Sequence, residues 1–495
     1  MRDALFYLER KVNVSIQSQI REMLVNSILS GQLSHGTALP SCRKMSKILS
    51  VSRNTVVLAY QGLTDDGYLV ARERSGFYVS TEILSGHVDG KDASDNTHLS
   101  SQKTDLNWQD RLRDRSSQLD VIQRPKNWRE YPYPFIYGQP DPSLFPIAAW
   151  RECTRQALSK SAMEAWTADP YGEDDPELIS QIKSRLLPRR GINAAEDEIL
   201  ITLGAQNALF LIAEMLVDKD DVVGFEDPGY PDARNIFSRR TNHITYFPVD
   251  EKGLPVNDSL NECDMVFITP SHHSPTTVTF PLERRNALLE KAVKEDFLII
   301  EDDFEYESNY VSEPTPALKS LDSNNRVIYV GSLSKSMFPG LRIGYIVASK
   351  ELINEMRALR RFMYRNTPSN NQRTTALFLG LGHHDTLVHR LQRIYRARWE
   401  AMRNALDKYL PGSSEAPSFG GTSYWVKGPA MLDATRLALD LQKFGVIIEP
   451  GEVLFADKKC PKFYFRLGFS SITEEKIDEG IRIIAEQIKL QTGRS

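Results

Sequence analysis

The sharpest chemical signal in this chain is a lysine set among phosphate-binding groups, in GSLSKSMFPGLRIGY at residues 331–345. Ser332 and Ser334 stand two apart, so on an extended stretch their hydroxyls share a side, and Arg342 follows Lys335 closely enough to return to the same anion. Hydroxyls and a planar guanidinium together clamp a phosphate, with Gly340 read as the residue that lets the chain turn. A lysine that is partly desolvated and near cations gives up its proton more readily and becomes a nucleophile toward a carbonyl. The pattern therefore points to a Schiff base at Lys335 with a carbonyl compound that also carries a phosphate.

Four further stretches have the character of partners for such a site. ITLGAQNALF reads as a strand running to Gly204 and a helix starting at Ala205 and Gln206, whose free N-terminal amides can take up a phosphate. EDPGYPDAR puts Tyr230 just after a turn. FLIIEDDFEYE is an apolar strand that runs into the carboxylates Asp302 and Asp303, and YFRLGFSS carries Arg466 on a strand near the C-terminus. Taken singly, each has an ordinary reading: a core tyrosine, solvated acids at a strand end, a structural arginine.

Taken in order with the lysine, these stretches resemble the fold-type I, class I aminotransferases over about residues 133–490. The resemblance implies pyridoxal 5′-phosphate (PLP) on Lys335, its phosphate held by Ala205, Gln206, Ser332, Ser334 and Arg342, and its ring stacked on Tyr230. It puts Asp302, with Asp303 as the register alternative, beneath the pyridine nitrogen, where a carboxylate keeps the ring protonated. It further implies Arg466 on an effector carboxylate, and Tyr171, in DPYGEDDPEL, reaching the phosphate of a partner subunit. Three departures stand out. Phe304 lies where a tyrosine is often found. Asp232 lies where the GABA-sensing member has an arginine, and would repel an anion. The run SHHSPTTVTFP places Ser274 where an asparagine normally touches the cofactor O3′, with His272 and His273 open to hydrogen-bonding or purely structural roles.

The N-terminal residues carry a different chemistry. Between Arg10 and Ser80 nine Lys/Arg face four Asp/Glu, so this segment holds +5 and the remainder about −9 of the formal −4. A basic module on an acidic body suits one anionic partner. Ser15 can cap a helix over 15–29 that buries Ile16, Ile20, Met23 or Leu24, and Ile28, and Ser41 can cap a short second helix. A third helix, capped by Ser52, aligns Val56, Leu58, Ala59 and Leu63, and Tyr68–Val70 and Phe77–Val79 read as two strands. Three helices and a hairpin make the plan of a winged helix-turn-helix. The order LPS.R, VSRNTV..AY, GYL, SG.YV over residues 14–80 resembles the GntR type. That resemblance implies a helix from Ser52 in the major groove of double-stranded DNA, with Arg53 and Asn54 in its first turn and Ser41, Arg43 and Thr55 at phosphates. The wing residues Arg72, Arg74 and Gly76 then reach an adjacent groove, although Glu73 stands where glycine is frequent.

Positioning these residues takes more than one folded unit, since 495 residues exceed a single core. Residues 1–81 are predicted as the DNA-binding head. Residues 82–130, polar and rich in Gly, Ser and Asp, read as a flexible linker with one short helix near Trp108–Leu119. Residues 131–495 form the aminotransferase-like body. There the apolar runs ILITL, DVVGF, MVFITP, FLIIEDD, RVIYVGS and RIGYIVAS alternate with helical patterns, which predicts an α/β fold on a mostly parallel sheet. A small α+β lobe follows after about Glu400, with TSYWVKG, VIIEPG and FYFRLGF as strands.

Head, linker and body together resemble the MocR/GabR family of transcription regulators, and the HHSPTTVTFPLERR stretch is similar to the branch responding to taurine or ectoine-derived amines. Membership implies a homodimer, with a head-to-tail domain swap as one form, a DNA operator, and a small amino compound sensed by aldimine exchange at Lys335. An aminotransferase with a DNA-binding appendage, or a sensor of PLP itself, are the alternatives; Phe304 and Ser274 argue against sustained turnover. The four cysteines show no metal-ligand spacing, no apolar run nears the roughly 18 residues of a membrane span, and Met1–Arg10 lacks a signal-type apolar core, so a cytoplasmic protein is expected.

Overall fold

Three serines start the helices of the N-terminal unit. Ser15 Oγ accepts from the Ser18 amide at 3.1 Å to open α1 (Ile16–Leu29), Ser41 Oγ from the Lys44 amide at 3.3 Å to open α2 (Cys42–Ile48), and Ser52 Oγ from the Thr55 amide at 3.1 Å to open α3 (Arg53–Asp65). Strands β1 (Leu69–Arg72) and β2 (Gly76–Val79) pair antiparallel with Arg72 opposite Gly76, so Arg72 belongs to a strand and the turn is made by residues 73–75. Ile20, Leu24 and Ile28 pack on Met45 and on Val56, Ala59, Tyr60 and Leu63. The last four follow i, i+3, i+4, i+7, a single helix face. Leu58 falls off that face and is 54% exposed, which corrects its predicted place in the apolar stripe. Tyr60 fills the position instead: its hydroxyl donates to the Pro40 carbonyl at 2.9 Å and its ring meets Phe77 edge-on at 5.0 Å.

The structure, a computed structural model, describes residues 6–8, 10–11, 14–82, 106–113, 115–168, 171–414 and 417–493, and the chain divides into two units, Met1–Arg113 and Asp114–Ser495. Residues 83–105 of the expected linker lie outside the described residues. The helix expected near Trp108–Leu119 is two short pieces, one turn at Trp108–Arg111 and a 3-10 turn at Ser116–Gln118. From there the chain is tied to the C-terminal unit: Arg239 Nη1 donates to Ser116 Oγ and Asn235 Nδ2 to the Asp120 carbonyl, both at 2.8 Å. The stretch from Ser116 onward thus forms part of the C-terminal unit, whereas the linker was expected to run to residue 130.

That unit is built on seven strands: β3 (Ile199–Thr202), β4 (Val223–Asp227), β5 (Ile244–Pro248), β6 (Met265–Ile268), β7 (Leu298–Asp303), β8 (Val327–Ser332) and β9 (Gly344–Val347). Their order is β3-β9-β8-β7-β6-β4-β5, with β9 antiparallel to both neighbours and the other pairs parallel. Every residue of β3, β6, β8 and β9 is buried, as continuous apolar runs predict for a sheet covered on both faces. β5, at the edge of the sheet with only Phe247 buried, has no continuous apolar run and is not among the strands expected from the sequence. A lobe of β10 (Ser423–Lys427), β11 (Glu449–Pro450) and β12 (Tyr464–Gly468) follows, in the order β10-β12-β11. VIIEPG, predicted as one strand, serves two sheets: Val446–Ile447 pairs with Tyr133–Pro134, and Glu449–Pro450 turns into the lobe. Among the described residues no helix is long and apolar enough to cross a membrane.

Candidate functional site

The ends of β3, β7 and β8 open on a cavity of about 260 Å³, the place where parallel α/β sheets hold their ligands. At one end of it β3 passes through Gly204, at φ +82°, into α4 (Ala205–Leu216). Ala205, Gln206, Ser332, Ser334 and Arg342 all line the cavity. Arg342 Nη2 donates to the Leu203 carbonyl at 2.8 Å, and its guanidinium lies 3.1–3.4 Å from where a Cβ on Gly204 would sit. A Cβ on Gly344 would lie 2.8 Å from the Gly204 carbonyl carbon. The glycines this corner needs are therefore 204 and 344. Gly340 is not one of them: its φ is not positive, and a Cβ there would meet nothing within 4 Å.

Lys335 enters the same cavity half-buried. Burial pushes its ammonium down to about 8; Glu305 and Glu449 act to raise it, Arg466 and Arg124 to lower it. Gly138, at φ +71°, passes so near that a Cβ would lie 2.3 Å from Lys335 Nζ. Nζ also stands 4.3 Å from the centre of the Tyr137 ring.

The adjacent acids of β7 separate by strand alternation. Asp302 lines the cavity, and burial, reinforced by Asp303 and opposed by Lys335, raises its carboxyl to about 7. Asp303 takes Arg190 Nε at 2.6 Å and the Tyr329 hydroxyl at 2.9 Å and is held in the fold. Asp302 Oδ1 is buried without a hydrogen-bond partner among the described residues. A protonated pyridine nitrogen is a donor of the kind it lacks. With a lysine nucleophile and phosphate ligands at the other end, the donor set fits PLP.

Tyr230 and Ser274 also line the cavity. The Tyr230 hydroxyl donates to Asp232 Oδ2 at 3.1 Å, and burial, with Asp232 and Asp302 nearby, keeps it protonated. Gln206 Nε2 donates to the same oxygen, so Asp232 ties Tyr230 to the start of α4. Phe304 presents a bare ring to the cavity, edge-on to Tyr137 at 6.4 Å. His272 and His273 do not line it. His272 packs on Phe419 with Nε2 3.3 Å from Glu305 Oε2, and His273 Nδ1 is 2.6 Å from Thr276 Oγ1. Burial lowers both, His272 against the opposing pull of Glu305 and His273 to about 3, which favours the neutral rings.

Two predicted residues stand apart from the cavity. Tyr171 is 76% exposed, outside the pocket of its own chain. Arg466 is buried, with Nε and Nη2 both on Glu449 Oε2, at 2.9 and 2.8 Å, rather than lining the cavity as an effector ligand. Sequence reading also missed several members. Tyr137 and Gly138 sit in FIYGQPDP, whose residue types do not by themselves point to the lysine. Arg124 lies in the polar stretch read as linker, and Glu305 reads as one more acid after the strand, although it accepts the Tyr137 hydroxyl at 3.1 Å and the Thr422 hydroxyl as well.

In the N-terminal unit Ser41, Arg43, Ser52, Arg53, Asn54, Arg72, Arg74 and Gly76 are exposed. Thr55 is partly covered, its hydroxyl 2.8 Å from that of Ser52. Arg72 lies 4.4 Å over the Tyr78 ring, which fixes its direction, and Arg74 takes φ +61° at the tip of the turn.

Residues 16–79 match the family described as bacterial regulatory proteins, gntR family, and residues 138–484 match aminotransferase class I and II. The HTH-type transcriptional regulator TauR of Rhodobacter capsulatus is 42% identical over 484 residues, covering 98% of this chain and 99% of TauR. The probable rhizopine catabolism regulatory protein MocR of Rhizobium meliloti is 30% identical over 403 residues, covering 80% and 78%. Among solved structures the chain is similar to LysN, the α-aminoadipate aminotransferase of Thermus thermophilus complexed with N-(5′-phosphopyridoxyl)-L-leucine, with a TM-score of 0.70 at 26% identity over 79% of this chain and 100% of that one.

Proposed function

Given that the chain belongs to the MocR/GabR-type transcription regulators, in which a GntR-type head is joined to an aminotransferase class I and II body, we propose that it holds PLP at Lys335 and reports a small amino compound to DNA. One observation carries this reading: Lys335, Asp302, Ser332, Ser334, Arg342, Ala205 and Gln206, from three separate stretches of sequence, line one cavity.

PLP, when bound, supplies an aldehyde that can exchange its bond to the lysine for a bond to an incoming amine. The residues do the rest. Arg342, the two serine hydroxyls and the first amides of α4 hold the phosphate. Asp302 would accept from the ring nitrogen, Tyr230 would pack on the ring, and Ser274 would stand beside it. Lys335, at about 8, has an appreciable neutral fraction near neutral pH and can both attack and take back a proton. Tyr171 serves the partner subunit of a homodimer. In the head, α3 enters the major groove with Arg53 and Asn54 toward base edges, Ser41, Arg43, Ser52 and Thr55 near phosphates, and Arg72, Arg74 and Gly76 at the neighbouring groove. The whole acts in the cytoplasm, and amine exchange in the body biases the placement of paired heads on an operator.

The test is direct. Full-length protein incubated with PLP gains a visible absorbance band, borohydride fixes the cofactor on Lys335, and Lys335→Ala loses the band and the amine response while still binding DNA. A colourless protein with no label on Lys335 defeats the proposal. Sustained product formation from an amino donor and a keto acid would favour an aminotransferase instead.

A further inference from the structure

Glu449 on β11 lies directly opposite Arg466 on β12. Both side chains are almost fully buried, at 4% and 2% exposure, and one edge of the guanidinium, Nε and Nη2, is closed on Glu449 Oε2. The other carboxylate oxygen, Oε1, accepts from the Tyr137 amide at 3.2 Å. Both oxygens of Glu449 are therefore engaged by the chain itself. The Arg466 guanidinium carbon lies 4.0 Å from the centre of the Tyr137 ring, and the Lys335 ammonium lies 4.3 Å from the same centre. A buried arginine thus stands one aromatic ring away from the reactive lysine, with its charge already cancelled.

We propose that Glu449 determines the effector class: the site takes primary amines whose amine-bearing carbon carries no carboxylate. The proposal rests on Lys335 being the point of amine exchange. An α-amino acid brings a carboxylate to the neighbourhood of Lys335. To pair with Arg466 it must displace Glu449 from both of its partners and leave a buried charge behind. An amine without that carboxylate meets neither cost. Arg124 also lines the cavity, but it is exposed and water-screened, so it does not replace a buried fork at the amine-bearing carbon.

The experiment uses the PLP-loaded full-length protein and a pair of probes that differ by one carboxylate, n-propylamine and L-2-aminobutyrate. The visible band is titrated with each, and each ratio is normalised to the same pair reacting with free PLP. Wild type is expected to half-saturate with n-propylamine at a concentration at least tenfold lower than with L-2-aminobutyrate. Glu449→Gln frees the guanidinium and is expected to shift that ratio at least tenfold toward L-2-aminobutyrate, while Glu449→Asp keeps the wild-type preference. Equal response to both probes in wild type, or a ratio unmoved in a Glu449→Gln protein that retains its band, overturns the assignment of Glu449 alone. Should Glu449→Gln fail to fold, the wild-type ratio still decides, since a preference for L-2-aminobutyrate rules the proposal out. If neither probe moves the band, amine exchange at Lys335 fails as well, and both readings fall together.

Discussion

Asp302 and Asp303 are neighbours on one strand with different surroundings: Asp303 Oδ2 is pinned by Arg190 Nε at 2.6 Å and the Tyr329 hydroxyl at 2.9 Å, whereas Asp302 lines the cavity, and the Oδ1 of each is buried without a hydrogen-bond partner among the described residues. Substitution should separate them. Asp303→Asn strands a buried guanidinium and should cost about 3–5 kcal/mol of stability. Asp302→Asn removes a buried carboxylate whose Oδ1 has no hydrogen-bond partner among the described residues, so the cofactor-free protein should be as stable as wild type or more so. Its PLP affinity should drop roughly 30-fold, the loss of one charge-assisted hydrogen bond worth about 2 kcal/mol. The pH dependence follows. The folded Asp302 carboxyl is raised to about 7, so between the usual carboxylate range and pH 7 the folded chain binds more protons than the unfolded one. Cofactor-free wild type should therefore lose stability relative to Asp302→Asn as pH rises through that window. Urea unfolding at several pH values and PLP titration check both halves.

Lys335 offers a second pH signature. An ammonium at about 8 is about one-tenth neutral at pH 7, against a few parts in ten thousand for an ordinary lysine. The rate at which cofactor-free protein takes up PLP should climb through pH 8 and level off, rather than rise past pH 10. Glu305 holds the ammonium up, so Glu305→Gln should move that midpoint below wild type. A midpoint that moved upward, or stayed near an ordinary lysine value, would contradict the burial argument.

How much of this was legible beforehand depends on how local each signal is. Ser332, Ser334 and Arg342, proposed for the phosphate, lie within seven positions of Lys335, and each serine cap of the head acts on an amide three residues away, so these are local signals. The choice between Asp302 and Asp303 was not local: the strand is buried on both faces, which erases the alternation, and the arginine that claims Asp303 lies 113 residues away. Arg466 stands out in YFRLGFSS by its type, but nothing in VIIEPG announces that Glu449 pairs with it, because strand register is a tertiary fact. Leu58 was misplaced because its type outweighed its phase on the helix, and Arg124 was passed over because a polar stretch reads as linker whether or not it is tied down.

In the head, the surface of α3 makes a graded prediction. Arg53 and Asn54 are exposed in its first turn, while Leu58 is exposed one turn later on the same helix. On a DNA site selected by the full-length protein from a random pool, Arg53→Ala and Asn54→Ala should each weaken binding by about 1–3 kcal/mol and relax sequence preference. Arg43→Ala should weaken all sequences alike and reduce the salt slope by about one charge. Leu58→Ala should leave stability within about 0.5 kcal/mol, since it buries little, whereas Leu63→Ala should cost about 2–5 kcal/mol. Gel shifts across a salt series and thermal unfolding distinguish these outcomes.

Gly138 provides the strictest steric test of the Lys335 site. Its φ of +71° is unfavourable for any residue with a Cβ, which by itself should cost Gly138→Ala about 1–2 kcal/mol of stability. The larger effect should be local. The new methyl would lie 2.3 Å from Lys335 Nζ, and the lysine, being flexible, yields by swinging away from the place where it reacts. Gly138→Ala should therefore fold and still bind DNA, yet take up PLP at least tenfold more slowly. Gly340→Ala is the matched control on the other side of the lysine, because a Cβ there meets nothing within 4 Å and its φ is not positive. If both variants load PLP at the wild-type rate, the approach of Gly138 to Lys335 has no bearing on the chemistry. If both are slowed alike, the slowing does not come from the contact between residue 138 and Lys335.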